Sequence, residues 1–139
     1  MARKKLPTEI LHSEEELGSI LFVLFIPSKT KDGDDLPAGE DQQQWAEAVG
    51  DVLTEVYGGA TEMPIAKGKW LNDDGKIITE EVILIHSYVR PSHMEEEGRL
   101  QRVAKILHRM GKRTKQGEVG VVIDGVFHRI RRFPLADEE

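Results

Sequence analysis

Ser19-Ile20-Leu21-Phe22-Val23-Leu24-Phe25-Ile26, closed by Pro27, is the stretch that decides the fold. Its apolar residues occupy both parities, whereas a strand with one wet face alternates. It therefore reads as a central strand buried on both faces. The apolar run Ile20 to Ile26 is far shorter than the ~20 residues that span a bilayer. Arg3, Lys4 and Lys5 resemble the charged start of a leader, but Glu14, Glu15 and Glu16 stand just before the apolar run and spoil it. The expectation is an intracellular, cytoplasmic protein.

Downstream, residues 28–41 (S-K-T-K-D-G-D-D-L-P-A-G-E-D) are polar and read as a mobile connection. Their acids do not follow EF-hand spacing, because Leu36 stands where an oxygen ligand belongs and no Glu closes the loop. A helix is predicted from Gln42 to Tyr57. Asp41 caps it, Gln44 completes a capping-box variant, and Gly58-Gly59 stops it. Trp45, Val49, Val52, Leu53 and Val56 form its apolar stripe. A strand follows over Pro64–Leu71, then the turn Asn72-Asp73-Asp74-Gly75, then a strand over Lys76–Arg90 ended by Pro91. Ser92-His93-Met94-Glu95 reads as a capping box for a second helix, whose stripe is Leu100, Val103, Ala104, Leu107 and Met110, with Gly111 at its C-cap. Glu118–Ile123 and Val126–Phe133 flank Asp124-Gly125 as a hairpin. Upstream, residues 1–18 form an N-terminal arm in which Ser13 and Glu16 suit one capped turn. Residues 134–139 are an acidic tail.

The order is βαββαβ, so residues 19–133 are expected to form one α+β domain of ferredoxin-like type. Its antiparallel sheet carries both helices on one face and an extra C-terminal strand in a hairpin. Helices on one face leave the other uncovered, and a second copy of the sheet is the simplest cover. The expected state is a homodimer through the sheet face.

Leu21-Phe22, Trp45, Gly59-Ala60-Thr61, Gly68-Lys69-Trp70, Asp74-Gly75 and Glu80 together resemble the pattern of an uncharacterised family of small bacterial proteins. The resemblance spans about half the chain, implies the ferredoxin-like fold and supplies no activity. The basic C-terminal block is not part of that pattern.

Chemistry is sparse in the sequence. With no cysteine, disulfides, thiolate metal sites and cysteine nucleophiles are excluded. The five histidines, His12, His86, His93, His108 and His128, show no paired-ligand spacing, so no metal and no cofactor are expected. No G-x-S-x-G elbow or glycine-rich phosphate loop occurs. His86, Tyr88 and Arg90 share one parity of their strand, and Trp70 on the paired strand can join them. His exchanges protons near neutral pH, Arg orients anions and Tyr donates a hydrogen bond, so these four are candidates for a small-molecule or catalytic pocket on the sheet face.

Charge is split along the chain. Residues 99–132 hold ten basic groups against Glu118 and Asp124, within a chain of formal charge −6. Arg102, Lys105, Arg109, Lys112 and Arg113, with Arg129, Arg131 and Arg132, are candidates to meet a nucleic-acid backbone or an acidic protein. Stacking of RNA bases on the sheet is disfavoured, since the third strand offers only Tyr88 as an aromatic. The leading reading is thus a homo-oligomeric binding or assembly protein without chemistry of its own. Nucleic-acid binding by the basic patch and a sheet-face pocket stand as the two alternatives.

Overall fold

The computed structural model describes residues 3–15 and 19–138. Along the chain run α1 (Pro7–Leu11), β1 (Ile20–Ile26), α2 (Gln42–Tyr57), β2 (Thr61–Leu71), β3 (Ile77–Val89), α3 (Pro91–Met94), α4 (Glu97–Arg113), β4 (Val119–Ile123), β5 (Val126–Ile130) and a 3-10 turn at Pro134–Asp137. The strands form one sheet in the order β2-β3-β1-β4-β5, with every neighbouring pair antiparallel. The fold is α+β. No helix among the described residues is long and apolar enough to cross a membrane.

Local signals account for most of the elements. The Asp41 side chain accepts the Gln44 N–H at 3.0 Å, and Gly58 leaves α2 in the left-handed conformation at φ 92°. Asn72 Oδ1 accepts the N–H groups of Asp74 and Lys76, closing the β2–β3 turn. Asp124 and Gly125, at φ 51° and 80°, provide the two positive angles a tight hairpin needs. β2 begins at Thr61, ahead of the expected Pro64, and its register shifts between Met63 and Ala66. Pro64 has no N–H to give the ladder, so the strand continues past it only by way of an irregularity.

The second helix departs from its expected form at both ends. Pro91, not Ser92, opens a short α3, which suits a residue that lacks an N–H and has its φ preset. Glu96 then turns extended (φ −85°, ψ 95°), and α4 starts anew at Glu97 without a side-chain cap. At the far end, Gly111 does not stop the helix. It lies within α4, which runs on to Arg113, and a Cβ there would sit 2.4 Å from the Phe133 ring. The glycine makes room for that ring. The one-turn cap suggested by Ser13 and Glu16 falls partly on Glu16, outside the described residues; the helical turn that is described lies earlier, at α1.

The core lies on one face of the sheet. Phe22, Leu24 and Ile26 of β1 are 0 % exposed and form one cluster with Ile83, Ile85 and Val89 of β3 and Val119 and Val121 of β4. Trp45, Val49, Leu53 and Val56 of α2, with Val103, Leu107 and Met110 of α4, close over it. The expectation that β1 is buried on both faces needs correction. Leu21, Val23 and Phe25, on the opposite parity, are only half-buried, because no helix covers that side.

Candidate functional site

The uncovered face is not uniform, and strand register explains why. Trp70 pairs with Ile78, Gly68 with Glu80, Ala66 with Val82, and Phe25 with Leu84. Side chains of one parity share a face, so all of these look away from the helices. On the other side of β1, Gly120 pairs with Arg129 and Val122 with Phe127, facing the same way. Between the β2–β3 hairpin and the β4–β5 hairpin lies a cleft of about 670 Å³, within the range of ligand pockets. Phe25, Val82 and Phe127 line its apolar part, and the rings of Phe25 and Phe127 meet edge to face at 6.3 Å. Gly68 and Gly120 keep it open. A Cβ on Gly120 would fall 2.7 Å from the Phe127 ring, and one on Gly68 would press on Val82 at 3.0 Å.

Glu80 organises one wall. The residue is only 9 % exposed, and a buried charge needs partners. Oε2 accepts the backbone N–H groups of Ser28 and Lys29 at 2.9 and 3.0 Å, and Oε1 accepts the indole N–H of Trp70 at 3.1 Å. One side chain thereby joins β3 to β2 and to the chain leaving β1. Trp70, Asp73 and Asp74 complete this wall.

Residues 28–41 were expected to be a mobile connection, and the structure corrects that. Thr30 is buried; its Oγ1 accepts the N–H groups of Asp32 and Asp34. Lys29 Nζ reaches Asp35 at 2.7 Å, and its hydrogen bond holds the Asp35 carboxyl below the usual carboxylate range. Lys31 N–H donates to Lys115 O, and Gln116 Nε2 donates to Lys29 O. Gly33, at φ 83°, passes over Ile78 so closely that a Cβ would lie 2.9 Å from its Cδ1. The segment roofs the end of the open face and brings Lys31 and Asp32 to the cleft.

The opposite wall is basic. Arg129 Nε and Nη2 donate to the Glu118 carboxylate at 2.8–3.3 Å, which holds the guanidinium still more firmly charged. Arg131 reaches the same carboxylate only at 3.8 Å. Both arginines line the cleft.

Of the four pocket candidates read from the sequence, only Trp70 lines this cleft. His86 pairs with Thr61 at the other end of β3, eight residues and about 27 Å of strand from Ile78. Tyr88 is 70 % exposed, and Arg90 lies beyond the strand end. The basic candidates divide. Arg129 and Arg131 belong to the cleft. On α4, Arg102 pairs with Glu55, Lys112 with Asp137 at 2.6 Å, and Arg109 donates to Glu138 O at 2.7 Å. The Arg113 guanidinium lies 5.9 Å from the Trp45 ring centre. Lys105 is half-buried on α4, and Arg132 follows β5 as an exposed residue.

Glu80, Phe25 and Phe127 were not singled out as site residues from the sequence. A signal for Glu80 did exist. Once the Asn72–Gly75 turn fixes the hairpin register, Glu80 falls opposite Gly68 and beside Trp70, on the parity shared with Ile78 and Val82. Gly68, Lys69, Trp70, Asp74 and Glu80, quoted above for the family resemblance, converge on this cleft.

No protein-family model matches the chain, and no curated protein matches it. Solved structures do. A phage SAM lyase in complex with S-methyl-5'-thioadenosine superposes with a TM-score of 0.55 at 16% identity, over 82% of this chain and 90% of that one. A phage SAM lyase in the apo state superposes with a TM-score of 0.57 at 13% identity, over 86% of this chain and 94% of that one. At such identities the likeness is one of fold. It nonetheless overturns the leading expectation of an assembly protein without chemistry of its own. The structures sharing the fold are of an enzyme, and the face expected to serve assembly carries a ligand-sized cleft.

Proposed function

We propose that this protein binds a small molecule in the sheet-face cleft and acts on it there. The ligand class we assign is an adenosyl sulfonium of the S-adenosylmethionine type. The observation that carries this is the cleft itself: an aromatic floor of Phe25 and Phe127 beside an indole and carboxylate locked together, Trp70 and Glu80. A flat nucleobase suits the former and a cation the latter. The similarity in fold to a lyase acting on such a compound supports the same choice. We also read the sheet order as ferredoxin-like, with β5 added beside β4.

Conversion of S-adenosylmethionine to S-methyl-5'-thioadenosine breaks the bond between sulfur and the amino-acid arm. The bonding electron pair stays on sulfur and cancels its charge. The carbon left behind is completed by loss of a neighbouring proton or by a new bond to an oxygen nucleophile. Incubation of the purified protein with S-adenosylmethionine, followed by mass spectrometry, tests the reading. Accumulation of S-methyl-5'-thioadenosine above the no-protein control is expected. Unchanged S-adenosylmethionine, together with no binding of any adenosyl compound at millimolar concentration, would reject it.

Beyond the cleft, the same face carries half-buried Leu21, Val23 and Leu84 beside the exposed Tyr88. We propose that two copies meet over this end of the sheet. Light scattering should return about twice the 15.7 kDa chain mass, and a monodisperse monomer at tens of micromolar rejects the dimer.

A further inference from the structure

The two walls of the cleft differ in charge, and the difference is held in place by the fold. On the β2–β3 side stand Trp70, Glu80, Asp73 and Asp74, with Lys69 as the one cation; on the β4–β5 side stand Arg129 and Arg131, with Glu118 taken up by Arg129. We propose that the cleft reads its ligand as a dipole, taking a cationic centre at Trp70 and a carboxylate at Arg131. The inference rests on the adenosyl-sulfonium reading above and deepens it. It makes Trp70 and Arg131 the residues that determine specificity.

Trp70 is fitted to a cation by its environment. An indole face attracts positive charge through its quadrupole, and Trp does so best among the aromatic side chains. Here its N–H is given to Glu80 Oε1 at 3.1 Å, which fixes the ring and places a full negative charge at its edge. Glu80 cannot swing away, because its other oxygen is held by two backbone amides. A sulfonium beside this ring meets both the π-face and the carboxylate; a neutral thioether gains little from either.

Arg131 is the available half of the basic wall. Arg129 spends Nε and Nη2 on Glu118, with a shortest contact of 2.8 Å. Arg131 approaches that carboxylate no closer than 3.8 Å, and more than half of its side chain remains in solvent. Its guanidinium can present two parallel N–H groups to an incoming carboxylate. Asp73 and Arg129 line the same cleft from opposite hairpins.

Four ligands separate the two ends. S-adenosylmethionine carries both the sulfonium and the carboxylate, while S-adenosylhomocysteine lacks the sulfonium. Decarboxylated S-adenosylmethionine lacks the carboxylate, and S-methyl-5'-thioadenosine lacks both. Dissociation constants, or inhibition constants where the ligand is consumed, are to be measured on the full chain and on Trp70→Leu, Trp70→Phe and Arg131→Gln. Thermal melts would confirm that each variant folds. The wild type should prefer S-adenosylmethionine about tenfold over each single-deletion ligand. Trp70→Leu should abolish the preference over S-adenosylhomocysteine only, and Trp70→Phe should keep part of it. Arg131→Gln should abolish the preference over the decarboxylated compound only. If all four ligands bind the wild type alike, or the preferences survive these substitutions, the dipole is wrong while the adenosyl reading stands. If none of the four binds, the adenosyl reading fails and the dipole falls with it.

Discussion

The two faces of β1 and β3 are made from the same strands, yet they do different work. On the helical face, Phe22, Leu24, Ile83 and Ile85 meet two long helices and lose almost all contact with water. On the other face, Phe25 and Val82 lie between hairpins and a folded-back loop, which leave a gap over them. A helix presents a continuous apolar stripe, so its contacts leave few voids. Two hairpins curling toward each other from opposite edges of a sheet do leave one. Stability is therefore concentrated on one face and recognition on the other.

Paired substitutions break or sharpen that contrast, and core truncation has the largest effect. Phe22→Ala and Trp45→Ala should each cost about 3–5 kcal/mol in urea denaturation. Phe25→Ala, one residue boundary away from a fully buried position but facing the cleft, should cost roughly half as much. Equal losses for Phe22 and Phe25 would mean that the faces are not distinct.

Next comes the anchor of the cleft wall. Glu80→Ala leaves the Ser28 and Lys29 amides and the Trp70 indole without their acceptor, and should cost about 1–3 kcal/mol. Glu80→Gln retains one side-chain oxygen and should cost less. If the alanine variant melts with the parent, Glu80 is not holding the three pieces together.

The smallest effect lies on the helical side, at the C-terminal segment. Leu135 N–H donates to His108 Nδ1 at 3.1 Å, and the Phe133 ring packs edge-on to the imidazole at 6.1 Å. Burial holds His108 below its ordinary value of 6.5, with Glu138 partly opposing. The unfolded chain therefore takes up a proton that the folded chain resists. The contribution is fully present above about pH 6.5 and is lost as pH falls through that value toward the lower folded one. Protonation would also turn the Nδ1 acceptor into a donor facing the Leu135 N–H. Arg109, Lys112, Asp137 and Glu138 are the charged neighbours in this packing. Between pH 7 and 5, the wild type should lose roughly 1 kcal/mol more than His108→Gln, measured by denaturation at each pH. Parallel curves would remove His108 from the account.

What could be read from the sequence was what the chain decides locally. The Gln42–Tyr57 helix carries its own cap, stripe and glycine stop. Asn72–Gly75 and Asp124-Gly125 carry their own turn chemistry. What could not be read depends on partners far along the chain. Gly111 looked like a helix stop because Phe133, whose ring needs the space, comes from beyond β5. Glu80 was not singled out as a site residue because its acceptor role is set by Ser28, 52 positions earlier. The cleft on the open face was hidden for the same reason: apolarity at both parities does not show which distant segments border a strand. His86, Tyr88 and Arg90 were grouped with Trp70 by parity alone, and parity says nothing about distance along a strand.

The Glu80 anchor has a consequence for how the cleft can be watched. The Ser28 and Lys29 amides belong to no helix or strand, and their protection from hydrogen exchange depends on a carboxylate that also fixes a wall of the cleft. Any opening that frees Trp70 by moving Glu80 also exposes those two amides to solvent. Their exchange rates are thus a gauge of the cleft that needs no label and no ligand. A molecule that settles against Trp70 should slow both together, while the amides of α2 keep their own pace.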